Sequence, residues 1–318
     1  MNAIATRVIN GALSIKPLAN FAKDRARAMI IRRAQDFDID WLGEVATLSS
    51  RGSSADLHPA WEEERAALCD RTLTYPDYYC TSFHGYDEGN LGWQPALEAD
   101  VAARSVHARL WPDGNERGDI LLRQSYLDVL KARLSPPKEI VDLGCSTGLS
   151  TRALQRTYPE AHITGVELSD YFLAVAQYQT RHPAAAHAPM PPNAPAITWR
   201  HAAAEATGLA TDSADLVSIS LVFHELPASA IRAVIAEAHR ILRPGGHLAI
   251  MEMNPKAEIY KTMPRYVFTL LKSTEPYLDQ YFSLDLHQAI IDSGFEPPSE
   301  THNSPRHRTV IARKPGQA

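Results

Sequence analysis

The sequence predicts an α/β protein with a doubly wound, mostly parallel seven-stranded sheet, a C-terminal antiparallel hairpin and a mainly helical N-terminal region. Three observations predict this fold. From Gly118 onward, short apolar segments alternate with segments of helical periodicity, which is typical of a parallel sheet with helices on both faces. The last two strand-like segments are joined by a short turn at Pro305, so they must be antiparallel. A glycine-rich turn separates the first strand of this region from the next helix.

The predicted elements follow one another in a regular order. Five helices are predicted after residue 117: Asp119–Leu134, a helix from the glycine turn through Gln155, Tyr171–Arg181, Ala228–Leu242 and Leu284–Ser293. Seven strands are predicted: Glu139–Leu143, His162–Val166, Ala196–His201, Asp215–Leu221, Gly246–Met251, Gly294–Glu300 and His307–Lys314. Proline sets two of the boundaries, because the first helix ends before Pro136 and the fourth ends in the sequence LRPGG.

This order divides the chain into two regions. Residues 1–117 form a helical region that we expect to act as a lid, and residues 118–318 form the sheet domain. Residues 254–283 interrupt the sheet domain before its last helix. We expect this insertion to serve as a second part of the lid.

The composition excludes several classes of protein. Hydrophobic residues make up 45% and charged residues 22% of the chain, which is ordinary for a soluble globular enzyme, and no apolar run approaches the roughly 20 residues that span a bilayer. The three cysteines form no CxxC pair, so we expect no disulfide framework, no metal site and a reducing, cytoplasmic compartment. A net charge of −5 and a pI near 6.2 argue against nucleic acid as a partner.

The N-terminal segment Met1–Ala34 has the opposite charge to the rest of the chain. It holds seven basic residues against Asp24 alone, a net charge of +6. With apolar residues among the basic ones, it could lie on an anionic membrane surface, or it could be a surface helix of the N-terminal region. Targeting to an organelle also stays open, although Ser14 is the only serine before Ser49.

The stretch IVDLGCSTGLS, residues 140–150, has three interpretations. The first is the nucleophile elbow of α/β-hydrolases, in which Ser146 is the nucleophile. Later acids and the histidines His302 and His307 satisfy the required chain order, so the order alone does not exclude it. Against it, Asp142 would have no role beside the elbow, and no HGGG-type oxyanion motif precedes the stretch.

The second interpretation is the phosphate-binding loop of dinucleotide folds, which requires G-x-G-x-x-G. Gly144, Ser146 and Leu149 stand at its three glycine positions, so two of the three glycines are missing. A serine side chain obstructs the close approach of a pyrophosphate to the backbone, which disfavours this interpretation.

The third interpretation is a loop that binds S-adenosylmethionine, a cofactor with an adenosine but no phosphate. Such a loop can tolerate the side chain of Ser146. Glu167 ends the second strand, 25 positions after Asp142. A carboxylate there can accept hydrogen bonds from both ribose hydroxyls, as an acid about 20 residues downstream does in dinucleotide folds. The C-terminal hairpin favours this interpretation over the dinucleotide fold.

Five stretches carry a resemblance to a known family: IVDLGCSTG, ITGVELS, HAAAEATGL, ADLVSISLVFHEL and ILRPGGHLAIMEMNP. Through them, residues 139–252 resemble the class I S-adenosylmethionine-dependent methyltransferases, particularly the branch of the ubiquinone and menaquinone C-methyltransferases. The similarity covers roughly the C-terminal two-thirds of the chain. The resemblance implies S-adenosylmethionine as cofactor and methyl transfer as activity.

The resemblance also implies which residues bind the cofactor: Asp142, Gly144, Cys145, Ser146, Thr147, Gly148, Glu167, Leu168, Ala204, Glu205 and Ser220. Asp142 would orient the methionyl ammonium group, directly or through water, or would instead cap the next helix. Leu168 would line the adenine. Many members have Asp or Asn where Ala203 stands, so here the backbone of Ala204 or the carboxylate of Glu205 would replace that contact.

Two residues after the fourth strand are candidates for the catalytic group. His224 follows this strand at the carboxyl edge, where open α/β sheets bind ligands. Its unperturbed pKa of about 6.5 suits a general base. A local packing role is the other interpretation of His224, and Glu225 is the second candidate for the base.

We expect the acceptor to be a small, lipophilic molecule such as a quinone or a phenol. Aromatic residues are concentrated in Tyr75–Trp93, and the insertion contains the apolar stretch Tyr266–Leu271. Aromatic faces would suit a flat acceptor. A non-catalytic protein that binds S-adenosylmethionine for regulation or assembly is the alternative, since it would keep the same cofactor loop. The sequence leaves the acceptor atom and the oligomeric state open.

Overall fold

The computed structural model describes residues 16–111, 113–183, 189–263, 272 and 274–316. Seven strands form one sheet: β1 Glu139–Leu143, β2 His162–Glu167, β3 Thr198–His201, β4 Ala214–Ser220, β5 Leu242–Met253, β6 Ser299–His302 and β7 His307–Arg313. Their order is β3-β2-β1-β4-β5-β7-β6. The first five strands pair in parallel, and β7 is antiparallel to both β5 and β6. The predicted parallel sheet with a C-terminal hairpin is therefore confirmed.

The helices cover both faces of this sheet. They are α1 Lys16–Gln35, α2 Trp41–Ser50, α3 Ala60–Leu68, α4 Trp93–His107, α5 Gly118–Arg133, α6 Leu149–Thr157, α7 Asp170–Arg181, α8 Ala228–Ile241, α9 Glu258–Thr262, α10 Leu278–Ser283 and α11 Leu286–Asp292. A single 3₁₀ turn, Phe223–Glu225, follows β4. Side chains of α8 and α11 form one core with the strands, and side chains of α5 and α6 form another on the opposite face.

The alternation of side chains along β1 decides where its acidic residue points. Val141 and Leu143 belong to the core on the α8 face, whereas Ile140 belongs to the core on the α5 and α6 face. Because successive strand residues point to opposite faces, Asp142 shares the face of Ile140. The carboxyl ends of β1, β2, β4 and β5 meet at one edge of the sheet, where parallel sheets bind their ligands.

The N-terminal helices pack on this same edge. Helix α1 packs through Ile30, Ile31 and Ala34 against a small core that includes Trp41 and Val101. Helix α3 and the start of α4 pack against α7 in a further core. Within the described ranges, none of the helices has both the length and the apolar character that crossing a bilayer requires.

The C-terminal part differs from the prediction in two places. The predicted strand Gly294–Glu300 is wrong over residues 294–298, because Gly294 has a φ of +95° and Pro297 and Pro298 cannot donate hydrogen bonds to a ladder. Strand β5 begins at Leu242, earlier than predicted, and a register shift between Ala214 and Leu216 accommodates its proline and glycines. The apolar stretch 266–271 lies outside the described residues.

Candidate active site

A cavity of about 730 Å³ opens at the carboxyl edge of the sheet, beneath the N-terminal helices. This volume lies within the range of about 300–1,000 Å³ that small-molecule sites occupy. Asp142 and Gly148 do not line it, whereas eleven of the thirteen residues predicted for the site do: Gly144, Cys145, Ser146, Thr147, Glu167, Leu168, Ala204, Glu205, Ser220, His224 and Glu225. The sequence therefore located most of the wall formed by the sheet domain.

The loop after β1 depends on two glycines. Gly144 has a φ of +67°, and a Cβ at this position would lie 2.7 Å from the side chain of Val222. Gly148, which precedes α6, has a φ of +80°, and its Cβ would lie 2.6 Å from the ring of Trp199. Both positions are left-handed and crowded, so only glycine lets the loop turn away from the strand and leave its backbone facing the cavity.

Glu167 organises the cofactor end of the cavity. Its Oε2 accepts the Ser146 N–H at 2.9 Å. Its Oε1 accepts the N–H groups of Leu168 at 2.8 Å and Ser169 at 2.9 Å, and the Tyr79 hydroxyl at 3.0 Å. The carboxylate thus joins the end of β2 to the glycine loop. A ribose hydroxyl can add to Oε2, whereas a second one at Oε1 must replace the Tyr79 hydroxyl, because a carboxylate offers about four acceptor sites.

Asp142 does not line the cavity but lies behind the loop, fully buried. Its Oδ2 accepts the hydroxyls of Ser150 at 2.9 Å and Thr151 at 2.6 Å, both in the first turn of α6. Burial raises the pKa of Asp142, although these two hydroxyls oppose the rise. Asp142 therefore anchors the start of α6, and its second oxygen, Oδ1, is buried without a hydrogen-bond partner among the described residues.

The hydrolase interpretation fails on the surroundings of Ser146. Its φ of +51° is left-handed, and no histidine of the described residues hydrogen-bonds to its hydroxyl. The two C-terminal histidines that could have served as the base have other partners. His302 contacts Asn254 and Glu300, and His307 contacts Ser304. Without an adjacent base, Ser146 lacks the activation that a nucleophilic serine needs.

Replacing Ser146 should therefore leave cofactor binding nearly intact. We expect Ser146→Ala to bind S-adenosylhomocysteine within a few-fold of the parent. Ser146→Gly should bind equally well and gain up to about 1 kcal/mol in the free energy of unfolding, because it relieves left-handed strain. Calorimetric titration and thermal unfolding measure both effects. A folded Ser146→Ala protein that loses all activity would restore the hydrolase interpretation.

The rest of the cofactor end is held by contacts that the sequence did not predict. The Thr147 hydroxyl donates to Asp100 of α4, and Arg152 donates to the Thr147 carbonyl at 2.7 Å. The Tyr78 hydroxyl donates to Glu205, so this carboxylate is already engaged by the N-terminal region. Asp100 and Tyr78 are ordinary surface residue types in the sequence, and only their convergence on the loop marks them.

Ser220 and Cys145, two further residues of the predicted site, line the cavity with their polar atoms buried. Ser220, at the end of β4, lines the cavity and its hydroxyl has no partner among the described residues. Burial raises the pKa of Cys145 well above the ordinary thiol value, so this residue is a neutral, apolar part of the wall. Leu168 and Ala204 complete this part of the wall.

His224 is paired with a buried acid at the end of β5. Its Nδ1 lies 2.8 Å from Oε1 of Glu252, which is fully buried. Burial opposes the charged imidazole, but the charge and hydrogen bond of Glu252 outweigh it and raise the pKa of His224 to about 10. At neutral pH His224 is thus an imidazolium, which can donate a proton or a hydrogen bond but is not ready to act as a base.

Glu225, rather than His224, has the near-neutral pKa that suits a general base. Burial raises its pKa, and although the nearby His84 and His224 lower it, the result is about 7. The nearest described cation is Nε2 of His84, 3.7 Å from Oε1. No described group donates a hydrogen bond to the Glu225 carboxylate, so this carboxylate in the cavity wall is free to meet a ligand.

Two further residues lie next to Glu225: His84 from the N-terminal region and Glu275 from the insertion. His84 Nε2 lies 2.8 Å from Oε1 of Glu275, and both residues line the cavity. Burial lowers the pKa of His84, but Glu275 and Glu225 outweigh it and raise this pKa. The sequence signal was weak, since His84 lies among the aromatic residues of the N-terminal region and Glu275 lies in the insertion.

The matches to known proteins fit this site. Residues 141–250 match the family model described as a methyltransferase domain. The malonyl-[acyl-carrier protein] O-methyltransferase of Hahella chejuensis is 34% identical over 180 residues, 56% of this chain and 57% of that protein. The ubiquinone/menaquinone biosynthesis C-methyltransferase of Methylobacterium nodulans is 28% identical over 133 residues, 42% of this chain and 48% of that protein. The chain thus spans about half the length of these relatives.

The fold is also shared with solved structures. Human N-acetylserotonin methyltransferase in complex with S-adenosylmethionine aligns with a TM-score of 0.53 and 15% identity, over 90% of this chain and 70% of that one. The mixed sheet, the glycine loop after β1 and the acid ending β2 define a class I methyltransferase fold. Residues 141–250 are a methyltransferase domain of the class I S-adenosylmethionine-dependent type, and the cofactor is S-adenosylmethionine.

The residues of the cofactor end fit this molecule. Gly144 lines the cavity in a left-handed conformation, whereas the left-handed Gly148 lies outside the cavity lining at the start of α6, and Glu167 has acceptor capacity for a ribose. The unpaired hydroxyl of Ser220 offers one further polar contact.

Proposed function

We propose that the protein transfers a methyl group from S-adenosylmethionine to a small organic molecule with a flat, apolar body, such as a quinone or a phenol. One observation carries the proposal: the cofactor loop lines the same cavity as the Glu225 carboxyl group, which has a pKa of about 7 and accepts no hydrogen bond from the described residues. The similarity to a malonyl-[acyl-carrier protein] O-methyltransferase and to a ubiquinone/menaquinone biosynthesis C-methyltransferase supports methyl transfer.

In this proposal the cofactor is held by the loop of Gly144 and Gly148 and by Glu167. When bound, S-adenosylmethionine supplies a methyl group activated by its sulfonium leaving group. The protein's main task is then to align the acceptor, an effect worth up to about 7–11 kcal/mol in favourable cases. The walls of the cavity provide this alignment and exclude water, with Tyr79, Trp41 and Tyr260 among their aromatic members.

Glu225 acts as the general base in this mechanism. Its carboxylate accepts the proton of an acceptor hydroxyl, and at pH 7 about half of the molecules carry it ionised, given a pKa of about 7. The charges of His84 and His224 lower the pKa of Glu225, so these histidines stabilise its ionised form. We propose His224 as a hydrogen-bond donor to the acceptor, in place of its predicted role as base.

The N-terminal helices and the insertion act as a lid in this proposal. Tyr78 and Tyr79 contact the cofactor end, while His84 meets Glu275 of the insertion over the acceptor end. Both lid segments therefore contribute side chains to the cavity, which supports the division at residues 1–117 and 254–283.

A turnover assay tests the proposed function. The full chain is incubated with methyl-labelled S-adenosylmethionine and fractionated small-molecule extracts, and label transfer to an extractable product is measured. We expect transfer to an apolar aromatic fraction. Calorimetric binding of S-adenosylhomocysteine without transfer to any fraction would instead support the non-catalytic alternative.

A contact with anionic membranes is proposed for the basic N-terminal segment. Arg25 and Arg32 are exposed on α1, whereas Arg27 is paired with Glu98. We expect the double variant Arg25→Gln, Arg32→Gln to float less with anionic vesicles at low salt, because each basic residue near such a surface contributes about 1 kcal/mol. An equal loss in the control that replaces two other exposed arginines, Arg117 and Arg181, would contradict a role of α1 in particular.

A further inference from the structure

Among the described residues, five arginines line the cavity, and they differ in their partners: Arg27, Arg33, Arg109, Arg123 and Arg306. Three of them are matched by carboxylates. Arg27 pairs with Glu98, Arg109 with Asp36 at 2.7 Å, and Arg123 with Asp119 at 2.9 Å. Neither Arg33 nor Arg306 has a side-chain hydrogen bond or an ion pair within the part of the chain that the structure describes.

The two unmatched arginines lie close enough to repel each other. Burial and the positive charges of Arg109 and Arg306 lower the pKa of Arg33, and the nearby Asp36 only partly offsets them. A half-buried cation without a partner costs free energy, which is why such groups are normally paired. An arrangement that gathers like charges in a cavity wall is typical of a binding site for an anion.

The position of Arg306 connects this wall to the acceptor end of the cavity. Its carbonyl accepts the Asn254 N–H at 2.7 Å, just beyond the carboxyl end of β5. Glu252, the partner of His224, lies two residues before Asn254, at the end of β5. Arg33 reaches the same cavity from α1 of the N-terminal region. Both unmatched arginines therefore line the cavity that also holds the proposed acid–base group.

We propose that the methyl acceptor carries an anionic group, a carboxylate or a phosphate, which Arg33 and Arg306 bind. This inference rests on the proposed function, because it concerns the molecule that shares the cavity with the cofactor. It refines the substrate class to an aromatic or apolar body with an attached anion. Guanidinium groups suit both anions, since their planar donors match pairs of oxygen atoms.

A pair of fluorescent probes with the same ring system tests the proposal. 1-Anilinonaphthalene-8-sulfonate carries an anion, and N-phenyl-1-naphthylamine lacks it. Both are titrated into the full chain, with and without S-adenosylhomocysteine. We expect Arg33→Gln and Arg306→Gln each to weaken sulfonate binding about tenfold, or about 1.4 kcal/mol, and to change neutral-probe binding by less than about twofold.

The matched control is Arg32→Gln, which removes the same charge one position away on the exposed side of α1. It should leave the affinity of both probes within about twofold. Arg33→Lys keeps the charge but loses the planar donor pair, so it should lie between the parent and Arg33→Gln. Displacement of the sulfonate by benzoate or by phenyl phosphate then shows which of the two anions the site prefers.

Two results would overturn the proposal: equal weakening of both probes in Arg33→Gln and Arg306→Gln, or an Arg32→Gln effect as large as that of Arg33→Gln. Neither result depends on methyl transfer. If S-adenosylhomocysteine binds normally but the sulfonate binds the parent no more tightly than Arg33→Gln and Arg306→Gln, the anion site is excluded and the proposed function is not affected. If label transfer fails while the probes behave as expected, the proposed function fails separately.

Discussion

Glu167→Ala is expected to weaken the binding of S-adenosylmethionine and S-adenosylhomocysteine on the order of a hundredfold or more. Hydrogen bonds to a charged carboxylate contribute about 1.5–3 kcal/mol each, and about 1.4 kcal/mol corresponds to a factor of ten in affinity. The loss should be similar for both molecules, since they share the same ribose. Glu167→Gln keeps the shape and one acceptor oxygen, so its loss should be smaller. Calorimetric titration with both molecules measures these affinities.

The structure adds a second consequence of this substitution. Alanine leaves the N–H groups of Ser146, Leu168 and Ser169 without their acceptor, so the glycine loop also loses its tie to β2. We expect the free energy of unfolding to fall by roughly 1–3 kcal/mol without loss of the fold.

Glu160→Ala is the matched control, because it removes an exposed carboxylate near the opposite end of β2. It should change neither affinity nor stability appreciably. Unchanged affinity for both molecules in Glu167→Ala would mean that this carboxylate does not bind the ribose.

Glu225→Gln is expected to lower kcat/KM about 10²–10⁴-fold on the acceptor found by the turnover assay, as loss of a general base does. Because a base works only when ionised, the parent's kcat/KM should rise with pH through about 7 and then level off. His224, with a pKa of about 10, stays protonated over this range. The variant should lose the rise at pH 7, and a pH–rate profile with a retained rise would exclude Glu225 as the titrating base.

His84→Gln separates the base from its surroundings. It removes a positive charge that lowers the pKa of Glu225, so the midpoint of the pH profile should move above 7 while the plateau is kept. An infrared titration of the protonated carboxyl band gives the same midpoint without any acceptor. The band should be absent near pH 7 in Glu225→Gln, and a midpoint unaffected by His84→Gln would contradict the proposed coupling.

The raised pKa values of His224 and Glu225 both make stability fall as the pH rises, but over different pH ranges. The folded-state pKa of His224 is raised, so the His224–Glu252 pair stabilises the fold fully below about 6.5 and loses this contribution as the pH rises through about 10. The folded-state pKa of Glu225 is raised as well, but its ionisation inside the cavity costs free energy, so stability falls as the pH rises from about 4.5 towards 7.

The sequence by itself determined the sheet and the cofactor end of the site. Periodicity placed β1 at Glu139–Leu143 and put Glu167 at the end of β2, and the short connection before His307 required an antiparallel pair. These features depend on local spacing, which the order of residues records directly. Gly144 and Gly148 could also be identified from the sequence, because a left-handed, crowded turn limits the residue type at its own position.

The tertiary structure alone decided the acceptor end. His84 meets Glu275 across 190 positions of chain, and Arg33 and Arg306 share one wall although they lie near opposite ends of the sequence. The proposed roles of the adjacent residues His224 and Glu225 also rest on folding: the buried Glu252 raises the pKa of His224 to about 10, and burial raises that of Glu225 to about 7. A pKa depends on burial and on charges brought near by folding, so residue type and spacing do not determine which of two neighbours is the base.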